Sequence, residues 1–242
     1  MKLKVIIPIS GLPEEGLISS EDYLKKWVSK DTEISCTSLK EGPTSLESDI
    51  DTALAIPFIA EAVVEAEGEG FDGVLVSCFD DPGIRAIREL VNIPVIGAFD
   101  SSMSVCVHLL DNVTIISPSK VCIPSTQHKV NASIYRDFVK NIRSIDTAIE
   151  DIISGNALEK LYNEVIEAAK MDGIEGIILG CTGFYDLLEP LEAKLEENSI
   201  DTIAIEPSKV AILELEQLVR LGIRHSKNTY PYRKYEEVMK NM

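Results

Sequence analysis

Residues 65–78 read EAEGEGFDGVLVSC, and residues 167–181 read EAAKMDGIEGIILGC. Each stretch leaves an acidic, helix-forming segment, turns on glycine, runs through a short apolar segment and stops on a cysteine. The first ends on Cys78, the second on Cys181. A short apolar run between glycine and a polar turn predicts a strand buried on both faces of a parallel sheet. The likeness continues downstream: NIPVIGAFDSSMSVCVHLL (92–110) follows the same order of strand, acidic residue with serine, and helix as SIDTIAIEPSKVAILELEQLV (199–219). The repeat predicts an α/β fold of two similar lobes, each a mostly parallel sheet flanked by helices. A pseudo-twofold axis is expected to relate them. Residues 1–97 with 206–242 are expected to form the lobe carrying Cys78, and 98–205 the lobe carrying Cys181. Open α/β sheets hold ligands at the carboxyl ends of their strands, so a site between the lobes is expected, with a thiol from each.

The rest of the chain fits this alternation. LKVIIPI (3–9) and TEISCTSL (32–39) read as strands, as do 93–98, 113–117, 174–179 and 201–205. Helices are expected near 83–91, 101–110, 156–173, 184–197 and 207–221. In 50–70, Ile50, Leu54, Phe58 and Ala62 recur four apart and predict an apolar helical stripe, which Pro57 should kink or break and Gly68 and Gly70 should close. Residues 118–156 show the weakest periodicity and read as loop with a short helix. YPYRKYEEVMKNM at the C-terminus reads as a solvated tail helix.

Composition narrows the function classes. The chain has 242 residues, 45% of them hydrophobic, enough for one large core or two small ones. A formal net charge of −17 repels phosphate backbones and anionic lipid, so neither nucleic acid nor membrane is expected as a partner. The apolar run near the N-terminus, Val5–Ile7 plus Ile9, is too short for a signal segment, and no window approaches a membrane span. A cytoplasmic protein with a small-molecule substrate is expected. Five scattered cysteines do not form a disulfide framework, and neither CxxC nor zinc spacing is present. His108, His128 and His225 are isolated and read as ordinary polar side chains. The glycines of GEGFDG precede a strand instead of following one, so they do not form a dinucleotide fingerprint.

A single thiol ending a buried strand is most simply a packing residue. Two at matched positions of a repeat, each followed by a polar turn and a helix start, point to chemistry. A helix N-terminus favours the thiolate and offers N–H groups to anionic oxygens. One thiolate can take a proton from one face of a substrate carbon while a thiol on the other face returns one. That inverts the carbon, and the thiols exchange roles in the reverse direction. Backbone N–H groups after each cysteine would stabilise the enolate charge. Neither metal nor organic cofactor is required. Cys36, Cys106 and Cys122 have no matched partner and read as packing. Asp80 and Asp81 read as a turn leading to a helix cap. Glu206 and Asp100 are read as equivalent positions after strands and, with Ser208, Ser101 and Ser102, as helix caps.

These blocks resemble those of the aspartate/glutamate/hydantoin racemase superfamily, and most closely its hydantoin and allantoin racemases. SCFDDPGIRAIRELVNIPVIG is similar to the family's first catalytic block, Cys-Phe-small residue-Asp-Pro-Gly. ILGCTGF is similar to the second, and GPTSLESDIDTALAIP and LVRLGIRHSKNTYPY resemble two further family segments. The resemblance implies a cofactor-independent racemase, commonly a homo-oligomer, with Cys78 and Cys181 as its acid/base thiols. It implies N–H contacts to substrate from Phe79, Asp80, Thr182 and Gly183, a hydrogen bond from Ser117, and Ser10 and Ser45 lining the site. A 5-substituted hydantoin or allantoin is the expected substrate. Alternatives are aspartate or glutamate, the isomerase and decarboxylase chemistry of the same superfamily, and a non-catalytic small-molecule binding role. The first strand departs from the family's Asn-Pro-Asn ending, since Ile7 and Ile9 flank Pro8, and Asp80 stands where glycine is usual.

Overall fold

Strands and helices alternate along the computed structural model, which describes residues 1–147, 151–152 and 156–240. The first part runs β1 (Lys2–Ser10), α1 (Glu14–Lys25), β2 (Glu33–Leu39), α2 (Asp49–Gly68), β3 (Gly73–Val76), α3 (Ile84–Ile87) and β4 (Val95–Gly97). Then follow α4 (Ala98–Leu109), β5 (Val113–Ser117), α5 (Cys122–Ala132), β6 (Val139–Ser144), α6 (Leu158–Asp172) and β7 (Gly176–Leu179). A 3₁₀ turn (Thr182–Leu187) leads to α7 (Leu188–Glu197), β8 (Ile203–Ile205), α8 (Pro207–Arg220) and α9 (Tyr235–Met239). Two units result: Met1–Ala98 with Ala211–Met242, and Phe99–Val210.

Each unit holds one four-stranded, all-parallel sheet. The first has strand order β2-β1-β3-β4 and the second β6-β5-β7-β8. The second order is the first with every number raised by four, so the sequence repeat is a repeat of topology. In both sheets the strand leading to the cysteine is buried throughout, GVLV in β3 and GIIL in β7. Glycine opens both strands because helices and neighbouring strands crowd there. A Cβ at Gly73 would meet Leu215 at 2.8 Å, and one at Gly176 would meet Leu110 at 2.5 Å. One face of the first sheet packs Ile6, Val74 and Val76 against Ala55, Ile59 and Val63 of α2. In the second unit Ile177 and Leu179 pack with Leu161, Val165 and Ala168 of α6.

Three expectations need correction. Residues 118–156 hold a strand and an 11-residue helix, β6 and α5. β6 is an edge strand with only Ile142 buried, so it lacks the alternation that marks a half-buried strand. Positions 148–150 and 153–155 of that stretch lie outside the described residues. The buried face of α2 is Ala55, Ile59, Val63 and Ala66, and the expected stripe lies about one residue's turn away from it. Ile50 is 63% exposed and Leu54 56%. Small residues bring the helix close to the sheet, a preference the larger side chains of the stripe obscure. Pro57 lies inside α2 without ending it. Finally, α3 spans four residues and is capped by Gly83, so neither Asp80 nor Asp81 caps it.

The C-terminal segment is a strap across the first unit. Lys227 Nζ donates to the carbonyls of Arg88 (3.1 Å) and Val91 (2.5 Å), and Arg233 N donates to Glu89 O at 2.8 Å. Arg88 and Arg85 lie over the ring of Tyr230. His225 is a working acceptor: Val95 N, at the start of β4, donates to its Nε2 at 2.8 Å. Burial, helped by the Arg88 charge, pushes its pKa down from 6.5 to about 4. Between those values the unfolded chain takes up a proton that the folded chain refuses. Stability therefore falls as pH drops through that window and is fully retained above it. Unfolding by denaturant at pH 7 and pH 5 should show this loss, on the order of 1 kcal/mol after allowing for solvent at the half-buried ring. His225→Gln, which keeps a neutral acceptor, should shrink the difference.

Candidate active site

Cys78 and Cys181 occupy the same place in their respective sheets. Each is the second residue beyond its strand, and each is half-buried. The residue before each thiol closes the same ladder bond to the neighbouring central strand. Ser77 N donates to Ile6 O at 2.8 Å, and Gly180 N donates to Ile116 O at 2.8 Å. A Cβ at Gly180 would lie 3.0 Å from the Ile116 carbonyl oxygen and 2.9 Å from the Ile115 side chain, so a side chain would be crowded there. Buried aromatics follow both thiols, Phe79 after the first and Phe184 after the second.

Beyond this the two turns differ. Cys181 is the N-cap of the 3₁₀ turn, and Gly183 N donates to its Sγ at 3.3 Å. Phe184 N closes the turn onto Cys181 O at 3.1 Å. An N–H aimed at sulfur favours the thiolate, the form that removes a proton. After Cys78, Asp81 N donates back to Cys78 O at 3.1 Å, and the chain turns through a left-handed Asp81 (φ 45°) and Gly83 (φ 68°) before α3. The Asp80 carboxylate accepts a hydrogen bond from Thr52 Oγ1 of α2 at 2.7 Å. It ties the turn to α2 instead of capping a helix.

The remaining cysteines differ in surroundings. Burial pushes the thiols of Cys36 and Cys106 up to about 12. At neutral pH both stay protonated and neither can act as a base. Cys122 opens α5, and its carbonyl accepts from Thr126 Oγ1.

The polar side chains expected in the site are placed as follows. Ser10 ends β1, with its hydroxyl donating to Gly42 O at 2.7 Å and its N–H to Pro43 O at 2.8 Å, so it fastens the loop after β2. Ser45 lies on that loop in a depression of about 480 Å³ formed with Pro43, Asp51, Leu54 and Phe58. Ser117 ends β5, beside the strand that leads to Cys181. It is fully buried, and its Oγ has no hydrogen-bond partner among the described residues. Thr182 and Gly183 are half-buried in the Cys181 turn. Glu206 caps α8 by accepting from Ser208 N (2.8 Å) and Lys209 N (2.7 Å). It directly follows β8, whereas Asp100 is three residues beyond β4 and exposed, so the two are not equivalent as expected. Ser101 and Ser102 are buried in α4.

Comparison with known proteins gives this arrangement a family. Residues 19–209 match the family described as Asp/Glu/Hydantoin racemase. The chain belongs to this family. It is 31% identical over 240 residues to the hydantoin racemase of Pseudomonas sp. strain NS671, covering 98% of this chain and 94% of that one. To the hydantoin racemase of Rhizobium meliloti it is 30% identical over 206 residues, 83% of each. The fold superposes on the solved allantoin racemase from Klebsiella pneumoniae with a TM-score of 0.87 at 26% identity, covering 97% of this chain and 95% of that one. Among the described residues of this racemase-family chain, no helix is long and apolar enough to cross a membrane. No group of three or more His, Cys, Asp and Glu side chains converges there as a metal site does.

One feature of the Cys78 turn escaped sequence reasoning. Gly97, at the end of β4, has the Asp81 carboxylate packed against its α-carbon. Its only sequence signal was a glycine interrupting a short buried strand, a known mark of close approach.

Proposed function

We propose that this racemase of the hydantoin type uses Cys78 and Cys181 as a two-base pair, without cofactor, at a carbon beside a carbonyl. The observation carrying the reading is the identical placement of the two thiols beyond β3 and β7. The thiolate of one takes the proton from one face of the substrate carbon, and the electron pair passes into the neighbouring carbonyl as an enolate. The thiol of the other delivers its proton to the opposite face. The carbon is inverted, and the protein is left with the thiol and thiolate exchanged, ready for the mirror-image substrate. N–H groups of Phe79, Asp80, Thr182 and Gly183 stabilise the enolate oxygen, a contribution of the oxyanion-hole kind. The unpartnered Ser117 hydroxyl supplies a further donor, since a buried hydroxyl without a partner is costly unless a ligand satisfies it.

The substrate we favour is a hydantoin with an apolar 5-substituent. Ile7 and Ile9, half-buried at the carboxyl end of β1, offer apolar surface and no amide to hold a ureido group. The test uses optically pure 5-benzylhydantoin and allantoin in D₂O, followed by polarimetry and proton NMR. Loss of rotation with one deuterium gained per inversion is expected, faster for 5-benzylhydantoin. A protein that accelerates neither above the buffer rate overturns the reading.

A further inference from the structure

We infer that Asp81 is a positioning residue for Cys78, keyed into a niche at Gly97. The proposal rests on the two-thiol reading above and deepens it.

Two independent observations carry it. Asp81 holds φ 45°, a left-handed conformation that side chains other than glycine, asparagine and aspartate rarely adopt. Aspartate is one of the few side chains that tolerate it, and the second observation says what its carboxylate does there. A Cβ placed on Gly97 would lie 2.2 Å from Asp81 Oδ1 and 2.3 Å from its Cγ, so the carboxylate fills the place where any other side chain at position 97 would stand. Gly97 is paired in register with Val76, the last residue of β3. The carboxylate therefore lies across the carboxyl ends of β3 and β4. It sits beside the start of α4 at Ala98, where a negative charge is favourable.

The same residue holds the thiol's turn through its backbone, with Asp81 N on Cys78 O at 3.1 Å. Its neighbour holds the turn from the other side, through Asp80 on Thr52 at 2.7 Å. The carboxylate in its niche fixes where the turn stands on the sheet, and the turn fixes Cys78. On this account Asp81 acts through Cys78 and does not touch substrate. Shape matters more than charge, because what defines the niche is the missing side chain of Gly97.

The test reads deuterium exchange out of each enantiomer of 5-benzylhydantoin separately. Cys78→Ala identifies which enantiomer loses its proton to Cys78. Asp81→Gly keeps the left-handed backbone and empties the niche, while Gly97→Ala keeps the carboxylate and expels it. Both are expected to slow exchange from that same enantiomer by roughly 30-fold or more, a large part of the 10²–10⁴-fold that a positioned acid/base group contributes. Exchange from the mirror enantiomer should stay within about threefold, with KM unchanged. Asp81→Asn, which fills the niche and tolerates the backbone, should restore exchange to within about threefold of wild type. Equal slowing of both enantiomers by Asp81→Gly, or no slowing of either, overturns the proposal while Cys78→Ala still shows its one-sided loss. Should Cys78→Ala itself exchange both enantiomers normally, the two-thiol reading fails, and this proposal with it.

Discussion

Cys78→Ala and Cys181→Ala should each abolish racemisation of 5-benzylhydantoin, lowering kcat by at least about a hundredfold, the scale of a lost general acid or base. The two losses should differ in kind. With one thiol gone, the other can still remove the proton on its own side and return a deuteron to the same face. Each variant should therefore exchange the α-proton of one enantiomer without inverting it, and the two variants should prefer opposite enantiomers. Chiral chromatography with mass detection separates exchange from inversion in one sample. Cys36→Ala is the control. Its thiol is held protonated by burial and by the nearby Glu21 carboxylate, so its removal should leave the rate unchanged. Full racemisation by either Cys78→Ala or Cys181→Ala would end the two-base account.

The second large effect concerns stability. Phe184 is fully buried in the cluster that includes Leu187, Leu188 and Leu191, three residues after Cys181. Phe184→Ala removes a large ring from a close-packed interior and should cost about 3–5 kcal/mol, seen as a lower midpoint in denaturant. Because Phe184 N also closes the Cys181 turn, racemisation should fall further than the folded fraction does. Phe184→Leu keeps most of the volume and should recover most of the stability. Equal midpoints for wild type and Phe184→Ala would show that the ring is not part of the core.

What the sequence disclosed follows from where burial is two-sided. β3 and β7 are covered on both faces, so their residues form unbroken apolar runs opened by glycine, and the cysteines just beyond them stood out. β6, paired on one side only, has a single buried residue and left no pattern. α2 misled for a related reason. Its packed face is mostly alanine and β-branched residues, while the larger Ile50 and Leu54 face solvent, so hydrophobic weight pointed the wrong way. Within the site, the thiols were legible because they repeat. Asp81 was not, because its partner Gly97 contributes only the absence of a side chain, and a reading based on side-chain chemistry passes over that. Ser10 ends β1 and Asp80 lies in the turn after Cys78, and their hydrogen bonds to Gly42 and Thr52 are long-range contacts that no local pattern encodes.

The first unit is built from both ends of the chain, whereas the second is one continuous segment. During synthesis, residues 99–210 are complete and able to collapse while β1 to β4 still lack α8. Leu215 and Val219 of that helix press on Gly73, and the strap that grips Arg88 and Val95 comes later still. Residues 1–98 therefore precede residues 99–210 in synthesis and complete their packing after them. Until then the turn bearing Cys78 rests on a sheet with one side uncovered, so the newborn enzyme gains its Cys181 half before its Cys78 half.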